Sequence, residues 1–587
     1  MPTLNWIGKD AVVNHHKEVP FHLLKCDEKL SVVPKTSEVL ETSEVSHAGN
    51  LLVQGDNLLA LKALLPHYAG QVKCIYIDPP YNTGEEGWAY NDKVNSPEIN
   101  GWLGQVVGRE NEDMTRHDKW LCMMYPRLSL LKELLRDDGV LFISIDEFEI
   151  ANLRLLLNEV FGSDNDMGCL VWKRRSSSAM SGTPLSIDHE YILVFAKDKN
   201  KISLYGLGKG IENYPNKDEK GFYASTDLTV GMDRNARPGQ YYQIVNPRTG
   251  KVYEPNPERV WRFFPETMNK VIEAELIIWP DEQDGNMQRP RYKTYFDPDN
   301  LKPTPISSWI ESTGTNERDI ANEEAEYDLS ILTTGMNQEG GKLLQKIFGT
   351  KAFSYPKPVS LIKSLIRSAT RENDLVMDSF AGSGTTGHAV LQMNKEDGGN
   401  RRFILVEMDE NISKNITAER LKRVSQGYEW KDQKGNKKKE EGLGGGFRFC
   451  ALGETLFDAE GQIRHEVSFE DLARHVYFVE TGSPLPVGEG LGVRATQRLP
   501  KSQRLRKSEA SPLLGIHNGV AVYLLYNGVM KDKSRDGGNV LTRPLLAELP
   551  EHDGAKVIYG NGTLLSENTL RSLNITFRQV PYEIKIS

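Results

Sequence analysis

The spacing of apolar residues between 51 and 160 predicts alternating helices and strands. Asp56 is suited to cap a helix that begins near Asn57, because leucines follow at helical spacing. The apolar run 72–77 then predicts a short buried strand. The leucines that define the helical face are Leu58, Leu61 and Leu65.

A longer helix is predicted over 119–135, where apolar residues share one face and Pro126 predicts a kink. A turn is predicted at 137–139 and another strand at 140–145. Strands that alternate with helices indicate a parallel α/β sheet. The apolar face consists of Trp120, Met124, Leu128, Leu131 and Leu135.

The pattern changes between 200 and 345, where glycine, proline, asparagine and aromatic residues become frequent and helical spacing fades. This change predicts an inserted module that is β-rich or irregular. Helix–strand alternation resumes at 356–425, with a helix over 360–369 and strands over 375–377 and 403–406.

The last part of the chain begins with the lysine- and glycine-rich run 430–446, which predicts a linker. Residues 447–587 are predicted to form a separate small α+β domain. In this domain Ser468 and Asp471 suit a helix cap, and 520–526 predict a strand.

Composition agrees with a globular chain of several domains. The 587 residues favour three or four domains of roughly 150 residues. Charged residues make up 26% and hydrophobic residues 39%, which argues against wholesale disorder. No apolar run reaches the roughly 18 residues of a membrane span, and the first residues have no secretory core. The net charge of −9 leaves DNA binding undecided, because binding needs only a local basic surface.

The cysteines and histidines argue against a metal protein. The five cysteines lie far apart and none forms C-x-x-C, which disfavours a zinc site and a disulfide scaffold. His15 and His16 are interpreted as a surface pair, since no other ligand group is near in sequence. We therefore expect a reduced, cytoplasmic protein without a metal. The cysteines are Cys26, Cys74, Cys122, Cys169 and Cys450.

A glycine-rich segment, DSFAGSGTTG at 378–387, lies between a predicted strand and a predicted helix. Its glycines spell G-x-G-x-x-G, which permits a tight turn and close approach to a nucleotide-like ligand. Glu407 ends the next strand, where a carboxylate can accept hydrogen bonds from ribose hydroxyls. This pattern alone fits NAD as well as S-adenosylmethionine, and it is not a P-loop. The glycines are Gly382, Gly384 and Gly387.

The tetrapeptide Asp78-Pro79-Pro80-Tyr81 directly follows the strand at 72–77. The two prolines fix the backbone and cannot continue a strand ladder. They place one carboxylate and one aromatic ring at the mouth of an α/β sheet, where ligands bind.

In this order, IYIDPPYNTG at 75–84 and then DSFAGSGTTG, the chain resembles the β-class DNA amino-methyltransferases. QGDNLLALKALL at 54–65, GVLFISID at 139–146 and FSYPKP at 353–358 resemble further blocks of that family. The length and the wide motif spacing are most similar to the modification (Mod) subunit of type III restriction–modification systems. The resemblance implies a Rossmann-like α/β methyltransferase sheet that uses S-adenosylmethionine.

The resemblance also implies a division of the chain. Residues 1–50 form an N-terminal segment, and two methyltransferase halves flank a target-recognition insertion at 200–349. A linker and a small α+β domain follow these halves. The catalytic half is 51–199, the cofactor-binding half is 350–429, the linker is 430–446 and the last domain is 447–587.

The implied reaction transfers a methyl group to adenine N6 in double-stranded DNA after base flipping. Asp78 and the carbonyl oxygen of Pro79 would accept the amine hydrogens, with no raised pKa required of Asp78. Tyr81 would stack on the flipped base, and Asn82 and Thr83 would line the same rim.

On the cofactor side, the resemblance places Phe380 beside the adenine ring and Asp378 at the methionine moiety. Glu407 would bind the ribose, in preference to Asp409, which is expected to begin the next helix. Lys357 is proposed to pair with the cofactor carboxylate. The turn Gly382–Thr385, with Gly384 at its centre, would enclose the ligand, so that Thr385 also contacts it.

Arginines and aromatic residues interleave in the inserted module, as expected of a surface that reads or stacks on bases. For any single residue the more ordinary interpretation is a packed aromatic or a solvated arginine. Two further basic runs, at 173–175 and 501–507, are usually solvated faces. The module contains Arg234, Arg237, Arg248, Arg259, Arg262, Arg289, Arg291, Tyr241, Tyr242, Tyr253, Trp261, Trp279, Tyr292 and Trp309.

Three alternatives stay open at this point. Cytosine-N4 methylation uses nearly the same motif, although the leading Asp78 favours adenine by resemblance. An NAD-dependent oxidoreductase would explain the glycines and Glu407 but leaves Asp78–Tyr81 unexplained. A DNA-reading subunit with weak catalysis would bind DNA without methylating it. As partners, the resemblance implies double-stranded DNA, a second copy of the chain and a separate restriction subunit with ATPase and nuclease activity, and no membrane.

Overall fold

The computed structural model describes residues 4–32, 49–83, 115–176, 185–202, 204, 214–282, 287–295, 305–312, 332–432, 434–486, 511–526, 529 and 538–584. The chain divides into two compact units. The inserted unit comprises Leu204–Ile306 and Ala325–Ser330, and the large unit comprises the residues on either side of it. Within the described ranges, no helix is long and apolar enough to cross a membrane.

The strands and helices are numbered in chain order. The strands are β1 (His22–Val32), β2 (Leu51–Gln54), β3 (Val72–Ile77), β4 (Leu135–Ile145), β5 (Asp166–Lys173), β6 (His189–Ala196), β7 (Asn216–Asp218), β8 (Gly221–Asp227), β9 (Thr229–Val230), β10 (Ile244–Val245), β11 (Val252–Tyr253), β12 (Val260–Trp261), β13 (Ile277–Ile278), β14 (Arg291–Tyr295), β15 (Trp309–Ser312), β16 (Thr333–Thr334), β17 (Leu375–Asp378), β18 (Arg402–Glu407), β19 (Gly427–Lys431), β20 (Lys437–Glu441), β21 (Phe447–Thr455), β22 (Leu513–His517), β23 (Val520–Leu524), β24 (Val540–Leu541), β25 (Ala555–Gly560), β26 (Gly562–Thr563) and β27 (Ile575–Gln579). The helices are α1 (Lys9–Val12), α2 (His15–Glu18), α3 (Asn57–Tyr68), α4 (Arg116–Leu134), α5 (Ile150–Phe161), α6 (Pro265–Glu273), α7 (Asn337–Phe348), α8 (Val359–Ala369), α9 (Thr385–Asp397), α10 (Glu410–Ile412), α11 (Glu419–Gln426), α12 (Phe469–Thr481), α13 (Arg543–Glu548) and α14 (Glu567–Ser572).

An 11-stranded sheet organises the large unit, in the order β1-β21-β2-β18-β17-β3-β4-β6-β5-β15-β16. Its centre, from β2 to β4, is parallel, and β6 joins β4 antiparallel. All six residues of β3 are buried, as expected of a parallel strand covered on both faces. The predicted Rossmann-like α/β fold is therefore confirmed, and the parallel strands bring their carboxyl ends to one edge.

Several predicted elements are confirmed. Asp56 caps α3 by accepting hydrogen bonds from the amides of Leu58 and Leu59 at 2.8 and 3.2 Å. The helix predicted over 119–135 appears as α4, Arg116–Leu134, and it begins with a capping box formed by Thr115 and Asp118. The helices and strands predicted between 360 and 406 appear as α8, β17 and β18.

The turn predicted at 137–139 is wrong. Those residues lie within β4, where the pairing with β3 shifts: Val72 pairs with Leu135, but Cys74 pairs with Val140. The charged residues form an irregularity in a continuous strand, which local turn chemistry alone could not distinguish from a reversal.

The two ends of the chain also differ from the prediction. The segment 1–50 contains β1, which pairs with β21, so the residues after 447 do not form a separate domain. Strand β21 also pairs in parallel with β2 and extends the large sheet. The expected linker 430–446 contains most of the antiparallel hairpin β19–β20. The helix cap at Ser468 and the strand predicted at 520–526 are confirmed as α12 and β23.

Pairing of β1 with β21 places Cys26 directly opposite Cys450, and the two form a disulfide. This corrects the expectation of fully reduced cysteines. The 424 residues that separate the two cysteines hide the pairing from sequence spacing. The remaining cysteines, Cys74, Cys122 and Cys169, are free.

The inserted unit has its own core, built on the four-stranded sheet β13-β14-β8-β7 and small two-stranded pairs. Trp261, Trp279 and Tyr253 are buried in this core, so they are structural aromatics. Arg259 pairs with Asp227 at 2.8 Å. Of the other predicted arginines, Arg248 pairs with Glu275 and Glu282, Arg291 donates to Ser225, Arg237 donates to Gln240, and Arg234, Arg262 and Arg289 are exposed.

Candidate active site

The two sequence motifs lie side by side at the carboxyl edge of the sheet. Strand β3 ends at Ile77, immediately before Asp78, and β17 ends at Asp378. The two strands are neighbours and parallel, with Met377 opposite Ile75. Residues separated by 300 positions in sequence therefore emerge from adjacent strand ends, as in ligand sites of open α/β sheets.

Lys357 contacts the catalytic motif and not a free cofactor position, which differs from the prediction for it. Its ammonium Nζ donates to both carboxylate oxygens of Asp78 at 2.8 Å and to the hydroxyl of Tyr81 at 2.8 Å. The Lys357 side chain is only 7% exposed, whereas that of Asp78 is 19% exposed. The sequence-predicted residues Asp78, Tyr81 and Lys357 thus form one cluster.

Sequence reasoning missed Glu190, which completes this cluster. Its carboxylate lies 3.4 Å from the Lys357 ammonium and 3.2 Å from the hydroxyl oxygen of Tyr81. Arg174 donates to the other Glu190 oxygen at 3.2 Å. The signal in the sequence was a single acidic residue at the start of the otherwise apolar strand β6. Arg174 belongs to the basic run 173–175, so part of that run is ion-paired.

Burial raises the pKa of Asp78 above its usual value; Lys357 lowers it, and the negative charge of Glu190 raises it. The sequence-based interpretation required no raised pKa of Asp78, and it did not anticipate this one. Burial disfavours the charged form of Lys357, but Asp78 and Glu190 outweigh that effect and raise the pKa of Lys357. Lys357 is therefore a cation between two carboxylates.

Contacts with α4 and with other buried side chains hold the segment from Pro80 to Asn82 in place. The carbonyl oxygen of Pro80 accepts from the indole N–H of Trp120 at 2.6 Å. Tyr81 is 5% exposed, with the Lys357 ammonium 4.9 Å from its ring centre. Asn82 has a φ of 59°, a left-handed conformation that asparagine tolerates, and it donates to the buried carboxylate of Glu149.

The glycine-rich turn is shaped by backbone angles that favour glycine. Gly382 and Gly384 have φ values of 51° and 78°. A Cβ atom on Gly384 would lie 2.9 Å from Cγ2 of Thr417. The Thr417 hydroxyl donates to the carbonyl oxygen of Gly382 at 2.6 Å, and Thr417 lies within a π-helical segment, Ser413–Ala418. The turn is thus packed closely from behind.

Asp378 braces the same turn. Its oxygens accept from the Phe380 amide at 3.0 Å and from the Thr386 hydroxyl at 2.6 Å. Burial raises the pKa of Asp378 to about 7. The buried hydroxyl of Ser379 has no hydrogen-bond partner in the described part of the chain.

Glu407 lies at the end of β18, as predicted, and is 2% exposed. One carboxylate oxygen accepts from the Gly382 amide at 2.8 Å, and the other accepts from the Asp409 amide at 2.9 Å. Asp409 caps α10, which confirms the expectation that this residue begins the next helix.

Arg420 is a second residue that sequence reasoning missed. It is fully buried and donates to Ser383 and Thr385, at 2.9 and 3.0 Å from their hydroxyl oxygens. Burial lowers the pKa of Arg420 to about 9. Arg420 fixes the hydroxyls of the glycine-rich turn from behind. Thr385 also contacts the carbonyl oxygen of Lys357 at 3.4 Å, which links the two motif regions.

Three other predictions concern residues away from this cluster. His16 is buried and is not the surface residue expected. Among the described residues, no group of three or more His, Cys, Asp and Glu side chains could hold a metal ion. The basic run that contains Lys501, Arg504, Arg506 and Lys507 lies outside the described residues.

Comparison with known proteins confirms the resemblance predicted from the motifs. A family model described as a DNA methylase matches residues 72–419. The chain is 32% identical to the type III StyLTI Mod subunit of Salmonella typhimurium and 33% identical to the EcoPI Mod subunit of Escherichia phage P1. Each alignment covers 71% of this chain, but only 60% and 65% of those relatives. The chain is also 30% identical to the type II methyltransferase M.KpnI of Klebsiella pneumoniae, over 67% of this chain and 91% of that protein.

Proposed function

Since the chain belongs to this DNA methylase family, we propose that it methylates adenine N6 at specific sites in double-stranded DNA. The observation that carries the proposal is the juxtaposition of Asp78 and the glycine-rich turn on the adjacent parallel strands β3 and β17. One loop offers a partly exposed carboxylate, and the other offers the backbone and carboxylates of a nucleoside site. This arrangement suits transfer of a group from a nucleoside cofactor to an acceptor held at Asp78.

The residues of the turn fit S-adenosylmethionine, which would supply an electrophilic methyl group on sulfur. Glu407 would bind the ribose hydroxyls, since its carboxylate lies at the end of β18 and contacts the Gly382 amide of the glycine-rich turn. Phe380 would contact the adenine ring, and Gly382, Gly384 and Thr385 would line the turn. Asp378 would act mainly through the turn that it braces.

Asp78 has a defined acceptor capacity left for a target amine. A carboxylate offers about four lone-pair sites. Lys357 and Tyr81 occupy two of these on Oδ1, and Lys357 occupies one on Oδ2. The target amine would therefore donate one hydrogen to Oδ2 of Asp78 and the other to the carbonyl oxygen of Pro79.

These two hydrogen bonds would turn the amine lone pair toward the methyl group. An exocyclic amine is a poor nucleophile because its lone pair is delocalised into the ring. Acceptors held in place favour the pyramidal nitrogen that attacks, and positioning and electrostatics supply most of the rate. Methyl transfer from the sulfonium would leave an extra proton on the amine. The raised pKa of Asp78 would make its carboxylate a suitable first acceptor of that proton.

A base within a duplex cannot reach Asp78, so the target must leave the helix. Stacking on an aromatic ring contributes about 1–3 kcal/mol per base, which offsets part of the unstacking cost. Tyr81 stays the predicted platform, with Thr83 at the rim, whereas Asn82 is buried against Glu149. The structure gives the Tyr81 hydroxyl a further task, because it contacts Asp78 and Glu190.

The inserted unit is the proposed target-recognition module, with the exposed Arg234, Arg262 and Arg289 as the arginines still available to DNA. The similarity to Mod subunits supports a role in a type III restriction–modification system, as a homodimer with a separate restriction subunit in the cytoplasm. The same similarity leaves the oxidoreductase alternative without support.

The proposal is tested by incubating the protein with isotopically labelled S-adenosylmethionine and mixed-sequence duplex DNA, then identifying the labelled nucleoside by mass. N6-methyladenine is expected. N4-methylcytosine would keep the site and overturn the choice of base. Specific DNA binding without any labelled nucleoside would favour the DNA-reading subunit.

A further inference from the structure

A series of ion pairs with alternating charges leads to Asp78. The methyl-transfer step itself does not require this series. Arg174 contacts Glu190 at 3.2 Å, Glu190 lies 3.4 Å from Lys357, and Lys357 lies 2.8 Å from Asp78. The Tyr81 hydroxyl bridges the two carboxylates, at 2.8 Å from Asp78 and 3.2 Å from Glu190. Glu190 has a side-chain exposure of 4%, so its charge is held inside the protein.

Four segments of the large unit supply these residues. Asp78 and Tyr81 follow β3, Glu190 lies on β6, Lys357 precedes α8, and Arg174 follows β5. The sheet brings them together because β6 pairs with both β4 and β5 near the carboxyl end of β3. A buried acidic residue on an apolar strand costs free energy unless it is paired. The ion pairs from Arg174 through Glu190 and Lys357 to Asp78 therefore supply the pairing that the buried Glu190 needs.

We propose that Glu190 is a positioning residue for methyl transfer. It holds Lys357 and Tyr81 so that they occupy three acceptor sites of Asp78 and leave the fourth, on Oδ2, for the target amine. Arg174 holds Glu190 in turn. This inference rests on the proposed function, because it concerns how Asp78 orients an amine.

The placement of Glu190 explains why two cations and two anions are used where one lysine would neutralise Asp78. Without Glu190, Lys357 and the Tyr81 hydroxyl would each lose the contact with the Glu190 carboxylate. Both groups could then change position around the Asp78 carboxylate. A displacement of about 1 Å in a positioning group can lower a rate roughly 100-fold. Glu190 also places a negative charge near Asp78, which raises the pKa of Asp78.

The test uses Glu190→Gln, which keeps the size of the side chain and removes its charge. We expect kcat to fall about 10–100-fold, while KM for DNA and for S-adenosylmethionine changes less than about threefold. Because Asp78 must be ionised to accept the amine, kcat rises with pH through the pKa of Asp78. Removing the Glu190 charge lowers that pKa, so the acidic limb of the profile shifts to lower pH.

Arg174→Met should shift the acidic limb of the pH profile in the opposite direction. This second variant keeps the test usable if Glu190→Gln does not fold. Without the guanidinium, the Glu190 charge acts more strongly on Asp78, so the acidic limb shifts to higher pH. Glu190→Asp should restore part of kcat. The groups that face Asp78 and Glu190 in this titration are Lys357, Arg174, Tyr76, Tyr81, Asp146 and Asp378.

Asp138→Asn is the matched control. Asp138 forms ion pairs with Lys73 and Arg136 on the same sheet but outside the cluster. This variant should change thermal stability and leave the pH profile in place. If the unsubstituted protein methylates DNA and both Glu190→Gln and Arg174→Met reproduce its pH profile, the inference is overturned. If the unsubstituted protein transfers no methyl group, the proposed function itself fails.

Discussion

The contact between Lys357 and Asp78 allows the sharpest prediction on stability. Lys357→Met removes the cation from between two carboxylates and retains most of the volume of the side chain. At an effective dielectric constant of about 20, unit charges separated by the observed 2.8 Å attract by roughly 6 kcal/mol. Desolvation offsets part of this, so that losing one partner of a buried pair typically costs about 3–5 kcal/mol. We expect the free energy of unfolding to fall by that amount at neutral pH.

The loss of stability in Lys357→Met should depend on whether Asp78 is ionised. In Lys357→Met the carboxylate has lost its cation, so its pKa rises further above the unfolded-state value. The uncompensated charge is present above that pKa and disappears as pH falls through it. The stability difference between Lys357→Met and the unsubstituted protein should therefore narrow at mildly acidic pH.

A double-mutant cycle isolates the pair. Denaturant unfolding is followed by circular dichroism for Lys357→Met, Asp78→Asn and the double variant, and we expect a coupling free energy of at least about 2 kcal/mol. Lys363 and Glu396 form the control cycle, since their contact is also 2.8 Å but more exposed. Such pairs are worth about 1 kcal/mol or less. Equal coupling in the two cycles would refute the buried ion pair.

Three further predictions concern the site and the sheet. Asp78→Ala should lower methyl transfer at least about 100-fold and leave cofactor affinity largely intact by calorimetry, and retention of most activity would remove Asp78 from its role. Phe380→Ala and Gly384→Val should each weaken S-adenosylmethionine binding about tenfold or more. Phe380→Ala removes the contact with the adenine ring, and Gly384→Val forces a β-branched residue into a φ of 78°. Unchanged affinity would refute the placement of the cofactor. Thiol titration of the denatured, unreduced protein should detect three free cysteines, and five would contradict the Cys26–Cys450 disulfide.

The sequence predicted those parts of the site that are local in the chain. Strand ends could be located from apolar runs, so Asp78 and Glu407 were placed correctly at strand tips. Asp56 and Ser468 were identified as helix caps because capping depends on residues within one turn. The order of the two motifs was sufficient to predict the family and its sheet.

Long-range pairings could not be predicted in the same way. Cys26 faces Cys450 only because β1 and β21 are neighbours, and no local pattern specifies that register. Glu190 enters the site because β6 lies beside β4, which sequence spacing does not reveal. Lys357 was identified from its block, but its contacts with Asp78 and Tyr81 were not predicted, because the direction of a long side chain is set by the charges that tertiary packing brings near it.

The charge pattern of the inserted unit shows a related limit. Arginines and aromatics interleave in sequence as they would on a nucleic-acid surface. In the structure Trp261 and Trp279 fill the core of the unit, and Arg259 is held by Asp227. Composition predicted a module with the right residues for recognition, whereas burial and ion pairing decide which of those residues remain available.

The central claim is that Asp78 presents an adenine amine to S-adenosylmethionine. The most direct measurement is the mass of the labelled nucleoside produced by the unsubstituted protein and by Asp78→Ala, each shown beforehand to bind the cofactor. We predict N6-methyladenine from the unsubstituted protein and none from Asp78→Ala. A labelled product that persists in Asp78→Ala, or a different methylated nucleoside from the unsubstituted protein, would contradict the claim.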